Sequence, residues 1–205
     1  MNYIEFRENF YQLACFNLDQ IYSAYPQFDR TNLTRWIRHG YIARLRQGYY
    51  TFPDYKSKRD FSLYFANRIY KPSYISLHTA LSFYGMIPET VSQITSVTSL
   101  KTAAFRNDFG DFSYKNLKED LMFGYELKEM DENRRLMFAT PEKALLDLLY
   151  LYPFYNSEKE MEELRMDEYY MREDLNVELL MTYNERFRSK ALDKRTRLLQ
   201  KVYDF

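Results

Sequence analysis

The residues of this chain that could do chemistry are few, and the densest group of them is basic. Residues 30 to 53 hold five arginines, Arg30, Arg35, Arg38, Arg44 and Arg46, and no Asp or Glu, whereas residues 157 to 178 hold nine acids against three bases. The formal net charge is zero, so the asymmetry is local. Such a distribution suits a DNA-contacting module attached to a part that does not touch DNA. A catalytic reading needs paired titratable groups, a nucleophile with a base, a metal cluster or a phosphate loop. None stands out. His39 belongs to the basic stretch, and His78 lies in Ser76-Leu77-His78-Thr79-Ala80, where a hydrogen-bonded structural role is expected. Asp147 stands among leucines, and Lys143 one helical turn earlier is its expected ion-pair partner. The five glycines form no Walker or dinucleotide motif, and the single cysteine, Cys15 in an apolar run, excludes an intrachain disulfide and a cysteine-based zinc site. The chain is therefore expected not to be an enzyme, to use no cofactor or metal, and to carry Cys15 as a buried inert thiol.

Positioning the arginines calls for particular elements. Apolar residues Ile4, Phe6, Phe10, Tyr11 and Leu13 read as a first helix, and Asn17 as the cap of a second that Pro26 stops. Asp29 or Thr31 can cap a third helix, in which steps of roughly 100° place Leu33, Trp36 and Ile37 on one side. The same steps place Thr31, Thr34, Arg35, Arg38 and His39 on the other. Gly40 is a plausible C-cap. Residues 41–45 and 49–52 are two β-prone runs around Arg46-Gln47-Gly48, which predicts a hairpin carrying Arg44, Arg46 and Gln47. The order of elements is that of a winged helix-turn-helix over residues 1–55. A recognition helix needs polar side chains that reach base edges in the major groove, and arginine is the commonest reader of guanine. Arg35 and Arg38 fit that role, with Thr31, Asn32, Thr34 and His39 around them. Arg44, Arg46 and Gln47 suit phosphate or the minor groove.

Polar residues 53–60 suggest a junction, after which residues 60–205 read as a mixed α/β second domain with a helical, charged tail. The fold class expected is α+β. Helices are predicted over 61–70 and 77–84, the latter capped by Ser76 and stopped by Gly85. Strands are predicted at 94–98, 109–114, 123–127 and 136–138. Thr140-Pro141-Glu142 is a strong start for an almost wholly apolar helix to Tyr152. The last stretch, Arg186 to Lys201, has seven bases and one acid, and reads as a solvated face. The acidic N-terminus lacks the apolar run of a signal peptide, and no segment approaches the roughly 18 apolar residues of a membrane span. A cytoplasmic location without a membrane partner is expected.

Three segments also resemble a known family. Leu33-Thr34-Arg35-Trp36-Ile37-Arg38-His39-Gly40 and its continuation to Tyr50 resemble the winged-helix segment of AbiEi antitoxins of abortive-infection systems. Residues 73–89, from Ser73-Tyr74-Ile75-Ser76 to Ile87-Pro88-Glu89, are similar to the opening of that family's second domain, and Thr140-Pro141-Glu142-Lys143-Ala144-Leu145-Leu146-Asp147 to its later helix. The resemblance implies a type IV antitoxin and transcriptional autorepressor. It would bind double-stranded DNA at operator repeats and counter a nucleotidyltransferase-like toxin without a stable complex. An orphan regulator with a ligand- or protein-sensing second domain is the other reading. A nuclease or nucleotidyltransferase would need a carboxylate cluster that the sequence lacks.

Overall fold

The computed structural model describes residues 2–58, 60–130 and 134–205. The chain is α+β. It begins with helix α1 (Tyr3–Phe10), strand β1 (Phe16–Asn17), helices α2 (Leu18–Ala24) and α3 (Thr31–Arg38), and the hairpin β2 (Ala43–Arg46) and β3 (Tyr49–Thr51). The three strands form one antiparallel sheet in the order β1-β3-β2. Local chemistry explains the boundaries. Asn17 and Gln20 form a reciprocal capping box at α2. Asp29 accepts the Thr31 backbone N–H at 2.9 Å, satisfying one of the orphan donors at the start of α3. Gly40, at φ +70°, ends that helix in the left-handed conformation.

Helix α4 (Phe61–Ile69) leads into a six-stranded mixed sheet. It contains β4 (Ser73–Ile75), β5 (Gln93–Thr98), β6 (Ala103–Asn107), β7 (Gly110–Asn116), β8 (Tyr125–Met130) and β9 (Arg134–Ala139). Their order is β6-β7-β5-β4-β9-β8, with β5·β7 and β4·β9 parallel and the other pairs antiparallel. Helix α5 (Leu77–Phe83) follows β4. The C-terminal helices are α6 (Pro141–Leu151), α7 (Glu158–Glu162), α8 (Val177–Arg186) and α9 (Lys190–Tyr203). Thr140 caps α6 by accepting the Lys143 N–H at 3.3 Å, and Pro141 takes the first turn. Its residues 142–149 are all buried, as befits the centre of a core.

Two hydrophobic cores result. The first is mainly aromatic and runs from Phe6 through Phe16, Trp36 and Phe52 to Phe65 and Ile69, joined by Phe112 and Tyr114 of β7. The second packs α5, α6, α8 and α9 on the β4–β9 half of the sheet. Residues 53–60 are polar in composition, yet Tyr55 there is buried, with its ring 4.5 Å from Phe61 and 5.1 Å from Tyr11. The Tyr114 hydroxyl donates to Ala66 O at 2.7 Å, tying sheet to α4.

Three strands appear that the sequence pattern does not announce. β1 has two residues and β4 three, and all of β4 is buried, so neither can show alternation. β6 opens on two alanines, poor strand formers. Ser76 also departs from expectation, because its side chain does not cap α5. Its hydroxyl donates to Asp147 Oδ2 at 2.8 Å instead.

Candidate nucleic-acid interface

α3 is held by one face. Leu33 and Trp36 are each 2% exposed, and the indole sits 4.7 Å from Phe6 and 5.9 Å from Phe28, centroid to centroid. With that face locked in rings, Thr31, Thr34, Arg35, Arg38 and His39 are exposed, as the helical steps require. They are not equally free. The Thr31 hydroxyl donates to Asp29 Oδ2 at 2.7 Å, and that bond with the Thr31 N–H holds the Asp29 carboxyl below its ordinary range. Arg35 donates to Asn32 Oδ1 at 2.8 Å, which leaves Asn32 half-buried along the helix. Among the described residues Arg38 has no ion-pair partner. His39 stacks at 5.6 Å on Tyr41, a 46%-exposed ring whose backbone carbonyl accepts the Tyr3 hydroxyl at 3.0 Å. Tyr41 extends the face beyond the helix and was not among the expected contacts; an exposed tyrosine next to a basic helix was the available signal.

The hairpin divides its polar residues. Arg44 and Gln47 are exposed, and among the described residues Arg44 meets no acid. Arg46 is turned inward. A bulge sets both Arg44 and Arg46 against the Tyr49–Tyr50 segment, altering the register between them. The Arg46 guanidinium donates to Ile69 O at 2.6 Å and lies 4.8 Å from the Tyr70 ring and 4.6 Å from that of Phe105. The expectation that Arg46 neutralises DNA phosphate is therefore corrected. Its charge is engaged with a helix C-terminus and two aromatic faces, the environment a planar cation prefers. Strand alternation could not foresee this, because the partners lie more than twenty residues away.

Away from this face, the most deeply buried titratable groups lie in the cores. Lys143 and Asp147 are fully buried and hydrogen-bonded to each other, and Asp147 Oδ2 also accepts the Tyr74 and Ser76 hydroxyls at 2.8 Å each. Burial pushes the Asp147 carboxyl up and the Lys143 ammonium down, in both cases against the attraction of the partner. The Lys143 ammonium also faces the Phe187 and Phe123 rings, whose centroids lie 4.7 and 4.9 Å from Nζ. Cys15 is free and buried, and burial pushes its thiol up to about 12, consistent with an inert role. The His78 ring, expected to be hydrogen-bonded, instead packs edge-on against Tyr152 at 5.8 Å, and burial lowers its pKa. Among the described residues no group of three or more His, Cys, Asp or Glu could hold a metal, and no helix is long and apolar enough to cross a membrane. Compared with protein-family models and with curated proteins, the chain matches none.

Proposed function

We propose that the protein is a DNA-binding transcriptional autorepressor that acts as the antitoxin of a type IV toxin–antitoxin pair. In this reading residues 1–55 work as a winged helix-turn-helix in the cytoplasm, with α3 in the major groove and the β2–β3 hairpin on the backbone. One observation carries it: α3 buries Leu33 and Trp36 while its opposite face presents Thr34, Arg35, Arg38 and His39. No acid occurs between residues 30 and 53 to oppose the phosphates. The likeness of residues 33–50, 73–89 and 140–147 to AbiEi antitoxins supports the antitoxin half, and the sequence's lack of a catalytic constellation favours a non-enzymatic regulator.

Binding to the protein's own upstream region and to random duplex, across a salt series, tests the DNA reading. Losing a bidentate base contact should cost about 1–3 kcal/mol on the cognate site, so Arg38→Ala should erode discrimination. Arg44→Ala should weaken binding to both duplexes and lower the salt slope by about one. If neither substitution alters either affinity, the basic face serves something other than DNA. For the antitoxin half, the product of the neighbouring reading frame should arrest growth alone and not beside this chain. Arrest that persists in its presence would remove that half of the reading.

A further inference from the structure

The end of α4, the turn after it and the β8–β9 pair enclose a cleft of about 560 Å³ that the DNA reading does not use. That volume is in the range of small-molecule sites. We propose that this cleft binds a small amphipathic anion, an apolar body bearing one carboxylate or phosphate.

Its floor is apolar and open. Leu127 and Met137 are cross-strand partners on β8 and β9, 58% and 40% exposed, and Pro72 lies beside them. Apolar side chains that are exposed together at a concave site mark a surface that something else covers. Its rim is cationic. Arg68, Lys71 and Arg135 line the cleft, and among the described residues no Asp or Glu does. Arg135 is paired with Glu129 at 2.9 Å, and Arg68 lies 4.8 Å from the Tyr64 ring. Arg68 and Lys71 thus bring two like charges to one wall with no carboxylate among the described residues to balance them. Partial burial and the Arg68 charge both lower the Lys71 pKa, the direction an incoming anion would reverse.

The third component is unsatisfied polarity. Asn67 and Ser73, 8% and 3% exposed, both line the cleft, and neither Asn67 Nδ2 nor Ser73 Oγ has a hydrogen-bond partner. The Asn67 amide cannot simply be reversed, because its Oδ1 accepts the Met137 backbone N–H where β9 runs past β4. Nδ2 is therefore a committed donor. A buried amide and a buried hydroxyl left unpaired are costly, and an anionic oxygen accepts from both. Cations at the rim, donors within and an apolar floor together specify an anion with a greasy body rather than a free inorganic ion.

Anilinonaphthalene sulfonate, itself an amphipathic anion, is the probe. Its fluorescence should report one saturable site per chain, from which decanoate or decyl phosphate displaces it and decanol at equal concentration does not. The relative strength of the two displacers separates carboxylate from phosphate. The paired substitution Arg68→Met and Lys71→Met should weaken the probe by about tenfold or more, since charge-assisted hydrogen bonds are the stronger kind. Met137→Asp, which puts a carboxylate on the floor, should do so independently. Unchanged circular dichroism and Trp36 emission establish that each variant is folded. The proposal is overturned if no saturable binding occurs, if decanol competes as well as decanoate, or if folded variants bind the probe as tightly as the parent.

Discussion

Replacing Lys143 by methionine isolates the energetics of the buried pair. Lys143 and Asp147 side chains are both 0% exposed, so Lys143→Met leaves a carboxylate in the second core with only the Tyr74 and Ser76 hydroxyls for company. Removing one partner of a buried pair costs about 3–5 kcal/mol. The two remaining donors place the loss near the lower end, so about 3 kcal/mol is expected at pH 8, or roughly 6–12 °C in Tm for a chain of this size. The pH dependence follows from the sign of the Asp147 shift. Burial already raises that carboxyl, with Lys143 as its largest opposing influence; without Lys143 it rises further. A group whose folded pKa is raised contributes stability below its unfolded value, near 3.9 for Asp, and that contribution is lost as pH climbs through the folded value. The penalty should therefore shrink towards acid pH by up to about 1.4 kcal/mol per unit between the variant's folded value and the parent's lower one, below which both carboxyls titrate alike.

Urea unfolding at pH 5, 6.5 and 8, followed by circular dichroism, measures this. Trp36 is the only tryptophan and sits in the first core, so its emission reports whether both cores unfold together. The paired substitution Lys143→Met and Asp147→Leu removes the stranded charge and leaves two neutral hydroxyls unpaired, at about 1 kcal/mol each. It should be more stable than Lys143→Met alone by about 1 kcal/mol or more. A single-variant loss under about 1 kcal/mol, a penalty flat across pH, or a pair no better than the single would refute the account of Asp147 as a compensated buried charge.

Trp36→Ala should cost about 3–5 kcal/mol through the cavity it opens between Phe6 and Phe28, read as a fall in the urea midpoint. Gly124→Ala should destabilise by about 2 kcal/mol or more, because φ is +67° and the new methyl would lie 2.8 Å from Tyr183 Cε2 and 3.1 Å from Lys143 Cβ. Gly40→Ala, at φ +70° with open space around it, should cost only about 1 kcal/mol, and equal losses at the two glycines would discount the steric part. The His78 pKa is depressed by burial, so its contribution is full above the unfolded value near 6.5 and declines as pH falls towards the folded one. The parent should lose stability between pH 7.5 and 5 more steeply than His78→Gln, and identical slopes would refute that assignment.

What was legible in the sequence was whatever rests on local rules. The α3 stripe of Leu33 and Trp36 follows from helical period, the stop at Gly40 from left-handed backbone, and the Lys143–Asp147 pair from the one-turn spacing of two charges among leucines. Thr140-Pro141 marked the start of α6 because capping and ring geometry are properties of adjacent residues. What failed depended on distant contacts. Arg46 turned inward because Ile69, Tyr70 and Phe105 surround it; Ser76 left its expected capping place because Asp147, 71 residues away, accepts its hydroxyl. The cleft was invisible for the same reason. Asn67, Ser73 and Met137 belong to separate segments that only the sheet order brings together.

That order also bears on how rigidly the basic face is presented. The hairpin is fixed to α4 by Arg46 donating to Ile69 O and to the six-stranded sheet by the Asn107 side-chain amide donating to Leu45 O at 2.8 Å. α3 is fixed through the aromatic core shared with α4 and β7. Both halves of the face are thus referenced to the same body, and neither hangs on a free loop. A surface ordered beforehand forfeits less conformational entropy on binding than one that must be assembled. The inward Arg46 therefore holds the hairpin that carries Arg44 and Gln47 in fixed relation to Arg38. α4 is the element on which this depends, since its C-terminal carbonyl holds Arg46 while its Asn67 and Arg68 line the cleft on the other side.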